Sequence, residues 1–331
     1  MIMKRAMIIC VCVYILGAVV EYCQGEGSGF GGFSEKLGNL SFEAEYKISA
    51  TEEESVQEQG GGLSFCQQEL YLLCPLKQNE EFESALTFGF EVMDIATRGR
   101  LIQAGVGLPD HLWEMGLGGL MRGRLDNEWI WGLRVSAGSA SDRPFDSLSE
   151  TNLNATGSLQ VPAGDDDQHL LFLNFATNRE FLRYIPIPGY AYQWNIDRKK
   201  QVLLGIPFCW GRWRATDKLT LQGSYFIPRT VHAKISYELW EGVDIYSGFD
   251  WQNQRWLRAG REDDDDRIFY YEKKVGAGLG WKIVDNCKID FQGGYGFDRF
   301  FFEGEEYDDR GDNCISFSDG LFMGTQVSFR F

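Results

Sequence analysis

Counting back by twos from the end of the chain, Phe331, Phe329, Val327, Thr325, Met323 and Leu321 alternate with Arg330, Ser328, Gln326, Gly324 and Phe322. A strand turns successive side chains to opposite faces, so this stretch predicts one apolar face and one mostly polar or small face. The same contrast recurs upstream. Lys218–Phe226 sets Leu219, Leu221 and Tyr225 against Thr220, Gln222 and Ser224. Val231–Leu239, Val243–Trp251, Lys274–Ile283 and Lys288–Asp298 repeat it. Five consecutive segments of this kind do not fit a sheet buried on both faces. From about Leu40 onward almost no helical period appears.

The connections alternate in length as well. Val284-Asp285-Asn286, Glu241-Gly242, Ala215-Thr216-Asp217, Asp197-Arg198-Lys199, Gly164-Asp165-Asp166, Leu125-Asp126-Asn127 and Gln78-Asn79-Glu80 read as short turns at one end. Residues 304–313, 254–265, 140–151, 95–110 and 51–61 read as long loops at the other. Ile227-Pro228-Arg229 is a short connection on the long-loop side, and Gly205-Ile206-Pro207 is a bend. Short periplasmic turns opposite long outer loops are the signature of a closed antiparallel transmembrane β-barrel. Counting both exceptions predicts about 16 strands; leaving them out gives 12 or 14.

The start of the chain fits export. Met1-Ile2-Met3-Lys4-Arg5 precedes an apolar run from Ala6 to Val20, and a cut after Gly25 would leave small residues at the site. The expected organisation is a signal peptide at 1–25, a glycine-rich periplasmic lead-in at 26–39 and a barrel at 40–331. The formal charge is −16, and the leader's net +1 puts the mature chain near −17. This acidity argues against nucleic acid as a partner. Mean hydropathy of −0.27 does not exclude a membrane protein, because only alternate residues of a barrel face lipid. The alternating strand that ends on Phe329 and Phe331 resembles the C-terminal strand of bacterial outer-membrane barrels. That resemblance implies recognition by the barrel-assembly machinery and a place among outer-membrane lipids.

The strand register assigns a set of charges to the lumen: Lys234, Glu238, Asp244, Asp250, Lys274, Lys282, Lys288, Asp290, Asp298 and Arg330, joined by Arg134, Arg212 and Arg214. Such charges either pair across strands and fill the lumen or line a water channel and discriminate solutes. A 16-stranded wall predicts an aqueous channel, porin-like and passive; a structural or surface-interaction barrel without an open pore is the alternative. Trp129, Trp131, Trp213, Trp240, Trp251, Trp256 and Trp281 cluster toward strand ends, as interfacial aromatics do.

Signals for catalysis are sparse. His111, His169 and His232 stand outside the zinc-protease and nucleophile-elbow motifs. His232 with Ser224 on the preceding strand is the one pairing compatible with a rim lipid hydrolase, against the simpler reading of a hydrogen-bonded lumen histidine. No cofactor is called for. The acidic runs Glu262–Asp266 and Glu305–Asp312 read as solvated charge and match no calcium loop. Arg310-Gly311-Asp312 is too short a motif to assign adhesion. Five cysteines follow the leader, an odd number; on spacing, Cys66 with Cys74 or Cys287 with Cys314 are candidate bridges beside the reading of isolated thiols.

Leu108-Pro109-Asp110, the run Gly132–Phe145, the run Arg212–Leu221, the run Asp266–Lys274 and the run Gly294–Gly304 are similar to an uncharacterised family of bacterial outer-membrane barrel proteins. The resemblance runs from about residue 80 to the end. It implies the fold and location and carries no established activity or site residues. The five cysteines depart from it.

Overall fold

The computed structural model describes residues 37–331 except 58, 99, 102–105, 165, 180–181, 198, 227–229, 262 and 312–313. The expected signal peptide and most of the lead-in lie outside the described residues, as do Ile227-Pro228-Arg229, Glu262 and Asp312. Sixteen strands form the wall. They are β1 (Glu43–Thr51), β2 (Gly62–Gln78), β3 (Phe82–Thr97), β4 (His111–Arg124), β5 (Ile130–Ser141) and β6 (Thr151–Pro162). Then come β7 (Gln168–Ala176), β8 (Ile187–Asp197), β9 (Lys200–Ile206), β10 (Phe208–Arg214) and β11 (Leu219–Phe226). The last five are β12 (Thr230–Trp240), β13 (Val243–Trp256), β14 (Arg267–Val284), β15 (Cys287–Gly304) and β16 (Gly320–Arg330). Each pairs antiparallel with its neighbour in sequence. β16 returns to β1, with Glu43 opposite Arg330 and Thr51 opposite Phe322, which closes the barrel. The bend at Pro207 is a true connection between β9 and β10, so the larger of the expected counts is correct.

Closure is finished by the terminal residue. Phe331 and Phe42 exchange backbone hydrogen bonds at 2.9 and 3.0 Å, and their rings lie 6.1 Å apart. Leu171, Leu173, Ile235, Ile245, Val275, Leu279, Phe291 and Met323 stay exposed on the outward face, the apolar belt a lipid-facing wall needs. Trp213, Trp240 and Trp281 are exposed near the short-turn ends, where interfacial rings belong. The chain folds as a closed antiparallel β-barrel with the apolar outer belt of a transmembrane wall.

The wall is uneven in height. β14 and β15 have 18 residues each, whereas β9 and β10 have 7. At about 3.3 Å per residue and a tilt of about 40°, the tall strands rise roughly 45 Å and the short ones roughly 18 Å. The tall strands do not stand apart. Leu257, one residue past β13, forms a parallel bridge with Ser141 at the end of β5. Leu257 donates its backbone N–H to Ala140 O at 2.8 Å, and Asp142 donates to Leu257 O at 3.2 Å. Ala259 adds a backbone donor to Asp142 Oδ1 at 2.6 Å. β5 and β13 sit on opposite sides of the ring, so these contacts pinch the outer half of the barrel into two compartments.

One compartment, bounded by β13–β16 and β1–β5, is filled. Leu63, Phe65, Met93, Leu112, Trp256, Ile268, Tyr270, Phe301 and Phe317 are fully or almost fully buried there. Phe65 meets Tyr270 edge-on at 5.4 Å, and Tyr270 stacks on Phe301 at 4.6 Å. Trp256 is therefore a core residue and not an interfacial one: its even position on β13 turns it inward, into the pinch. If β5 and β13 meet as described, Ser141→Cys with Leu257→Cys, in a background with the native cysteines changed to serine, forms an internal disulfide on mild oxidation. Only intermolecular dimers on a non-reducing gel would contradict the pinch.

Among the described residues no disulfide joins Cys66, Cys74, Cys209, Cys287 or Cys314. Cys66 and Cys74 share β2 eight residues apart, about 26 Å along an extended strand, far beyond disulfide reach. Cys287 begins β15 at the short-turn end, whereas Cys314 lies opposite Phe302 at the other. Leu37 and Gly38, at the end of the expected lead-in, are docked against the wall. Gly38 N–H donates to Glu83 Oε2 at 2.9 Å, and the Gln78 amide donates to Gly38 O.

Candidate functional site

The strand register turns twelve of the thirteen expected lumen charges inward, and most are already engaged. Glu91 on β3 and Gln254 on β13 fix the inner face, because Gln254 donates to Glu91 Oε1 at 2.6 Å across the lumen. Counting from Gln254 puts Asp250 and Asp244 inside. Asp250 pairs with Lys274 in register and meets His232 Nδ1 at 2.6 Å. Lys274 bonds to Glu272 at 2.5 Å. Lys234 lies 3.9 Å over the Tyr246 ring, Glu238 stands opposite Asp244, and Lys288 holds Asp290 at 3.1 Å and Asp244 at 3.5 Å. Lys282 turns toward the periplasmic end, to Asp285 at 2.8 Å. Arg330 sits at the same end, on Glu43 at 3.1 Å. Arg134 hydrogen-bonds Tyr71. Arg212 and Arg214 are exposed near the periplasmic mouth.

Asp298 is the exception. The pairing of β14 with β15 slips between Tyr271 and Lys273, and Asp298 takes φ 52°, so an extra residue enters the ladder. A bulge of this kind re-aims side chains. Asp298 pairs with Lys273, whose ammonium lies 5.0 Å over the Trp251 ring on the outward face. Arg299 takes the inward place instead. It is buried against Glu272 at 3.1 Å and Glu54 at 3.3 Å, with the Phe317 ring 4.6 Å from its guanidinium.

Several inward charges escape the alternation argument. Lys47 and Glu69 bond at 3.0 Å; Gln67 donates to Glu91 at 2.9 Å; Glu83 and Arg122 form a buried pair. Alternation in Glu83-x-Ala85-x-Thr87-x-Gly89-x-Glu91 was the available signal. On β14 and β15 glycines open room for flat rings. A Cβ on Gly278 would lie 2.4 Å from Tyr246, and one on Gly294 would lie 2.8 Å from Phe322.

The second compartment is walled by β5–β13 and has a different lining. Asn152, Asn154, Ser158, Gln168, Asn174, Gln201, Gln222 and Ser224 face inward and keep contact with solvent. Beside them Leu170, Phe172, Ala191, Leu203 and Phe208 form an apolar cluster, with Trp210 half buried against it. Residues 177–179 and 182–186 lie past the outer ends of the short strands, against β13 and β14. Arg255 donates to Asn178 O at 3.1 Å, Arg267 to Asn178 Oδ1 at 2.9 Å, and Arg183 to Asp265 Oδ1 at 2.8 Å. Part of the acidic run thus anchors this strap. Among the described residues no group of three or more His, Cys, Asp or Glu side chains is placed to hold a metal ion.

A second outer loop is tied by Glu150, which accepts from Arg261 Nη1 at 3.0 Å and from Ser147. Burial alone would raise its pKa, but the hydrogen bonds from Ser147 and Arg261 outweigh that and hold it below the ordinary glutamate range. A lowered folded pKa contributes docking strength that is complete above the unfolded value and lost as pH falls through the folded one. A fluorophore on Leu148→Cys, at a 91% exposed position, should therefore gain rotational freedom only below the ordinary glutamate range. Glu150→Gln should remove that transition.

No protein-family model matches the chain, and no curated protein sequence does. Several solved structures are similar to the chain over most of its length. An outer membrane channel from Pseudomonas putida F1 shares 11% identity over 94% of this chain and 100% of its own, with a TM-score of 0.41. A FadL homologue from Pseudomonas aeruginosa shares 11% over 96% of this chain and 100% of its own, TM-score 0.42. The beta domain of the Bordetella autotransporter BrkA shares 8% over 88% of this chain and 100% of its own, TM-score 0.33.

Proposed function

We propose that the protein is a passive channel for small solutes and that passage runs through the compartment walled by β5–β13. The contrast in burial carries this reading. The outer half of the other compartment is sealed by an apolar core, whereas Asn152, Asn154, Ser158, Gln168, Asn174, Gln201, Gln222 and Ser224 of this one keep contact with solvent, with Thr156, Gln160 and Gln193 buried beside them. A 16-stranded perimeter has room for water beside such a core. The engaged charges on β13–β16 act mainly as cross-strand ties, and Arg212 and Arg214 are the exposed cations on the route.

Single-channel recording in planar bilayers tests the proposal. Steady ohmic openings are expected, and Gln222→Trp should narrow them. Neutralising Arg212 and Arg214 together should move the reversal potential toward cation selectivity, while Lys274→Gln should hardly move it. Silence from folded, heat-modifiable protein would overturn the channel reading.

A second reading rests on one geometric observation. Ser224, His232 and Asp250 are successive register partners on β11, β12 and β13, with His232 Nδ1 on Asp250 and Nε2 buried without a partner. A serine hydrolase uses that order of groups. Labelling by a fluorophosphonate that vanishes in Ser224→Ala would favour it; no labelling of the folded barrel would dismiss it.

A further inference from the structure

We infer that the β5–β13 compartment selects neutral solutes bearing several hydroxyl groups and an apolar face, the chemistry of small saccharides. The inference rests on the channel reading and adds the class of solute. Its first support is the scarcity of charge on the arc from β6 to β11. In a chain that is 24% charged, the described inward side chains from Thr151 to Phe226 include no carboxylate. The arginines on these strands are Arg212 and Arg214, at the periplasmic mouth, while Arg179 and Arg183 belong to the segment that caps the outer end. The charges that share the compartment lie on its flanking strands, Arg134 on β5, Lys234 and Glu238 on β12, and Asp244 and Asp250 on β13. An ion stripped of part of its hydration along the β6–β11 arc would meet no opposite charge on that wall.

Second, hydrogen-bonding amides are arranged as a continuous series. Asn174 Nδ2 donates to Asn154 Oδ1 at 3.0 Å and to Thr156 Oγ1 at 2.8 Å. Gln168 Nε2 donates to Gln193 Oε1 at 2.8 Å, and Gln193 Nε2 to Asn195 Oδ1 at 3.2 Å. Between these two groups lies Gln160, in register with Leu170 and Ile130. It is 3% exposed, and its Nε2 has no partner among the described residues. A buried donor left open costs free energy unless something accepts from it. A solute hydroxyl is the complement.

Third, the apolar cluster adjoins the amides on the same inner face. Phe172 and Phe208 pack at 5.4 Å, and Trp210 rests on the cluster with part of its ring uncovered. A sugar ring presents C–H groups on one face and hydroxyls at its edge. Aromatic surface beside amide donors matches both, and a site built for hydroxyls discriminates against solutes that lack them.

The test uses the full-length protein in liposomes and reads swelling rates in iso-osmotic arabinose, glucose and maltose against gluconate and glucosamine. Neutral sugars should enter at least about fivefold faster than charged solutes of equal size, the scale of one hydrogen bond. Gln160→Leu and Trp210→Ala should each weaken block of the single-channel current by maltose. Gln222→Glu, at a half-exposed position, should admit glucosamine faster and serves if the Gln160 variant does not fold. Rates ordered by size alone, with charged and neutral solutes alike, would overturn the inference while leaving the channel intact. No swelling in any solute, from folded protein, would overturn both.

Discussion

Arg299→Ala should destabilise the barrel by about 3–5 kcal/mol, the cost of leaving buried charges without their partner. The side chain is almost fully buried, between Glu272 and Glu54 and against the rings of Phe317 and Phe65. Its loss strands Glu54 and leaves Glu272 paired with Lys274. Urea unfolding in detergent micelles, followed by tryptophan fluorescence, measures the effect. Arg299→Met combined with Glu272→Gln and Glu54→Gln should recover much of the loss, because it removes the charges together. A single variant as stable as the parent would mean that water reaches this network and that the compartment is open.

Phe317→Ala should cost about 3–5 kcal/mol, as truncation of a buried ring usually does. Phe317 packs on Phe301 at 6.0 Å, on Tyr270 at 6.4 Å and on Phe65 at 6.4 Å, so its removal leaves a cavity in the middle of the fill. Stability and passage should separate in this variant. Swelling rates in arabinose should stay at the parent level, since the route lies beyond the pinch. A large rise in rate would place the passage through the filled side, and with it a different set of lining residues.

How much of this was legible in the sequence depended on whether a strand has two different faces. β11, β12 and β16 do, and their alternation gave position, register and direction. The outer halves of β14 and β15 do not. Ile268 and Tyr270 fill the interior, while Phe269 and Tyr271 stack on Phe302 and Phe300 in a second buried layer. With apolar residues on both sides the period of two disappears, so these strands are longer than alternation alone indicated. The pinch was invisible for a different reason: Ser141 and Leu257 are far apart in sequence and bond through backbone atoms. Asp298 was misplaced because a single inserted residue inverts every later assignment on its strand, and nothing in Phe297-Asp298-Arg299 announces a bulge.

The amide-lined side was hidden by attention to charge. Alternation on β6 and β7 marks Asn154, Thr156, Gln160 and Asn174 as readily as it marks Lys234 or Asp244. Neutral amides carry no sign to count, however, and their meaning emerges only when neighbouring strands bring them into one row.

The bridge between Ser141 and Leu257 has a consequence for how such a barrel can vary. In a simple barrel each added hairpin widens the hole. Here a chord divides the ring, so on the channel reading bore depends on the arc from β5 to β13 and not on the total number of strands. An extra hairpin between β14 and β16 would enlarge the solid part and leave the aperture as it was. One between β7 and β10 would enlarge the aperture directly. Perimeter and the size of the unfilled space have become separate variables.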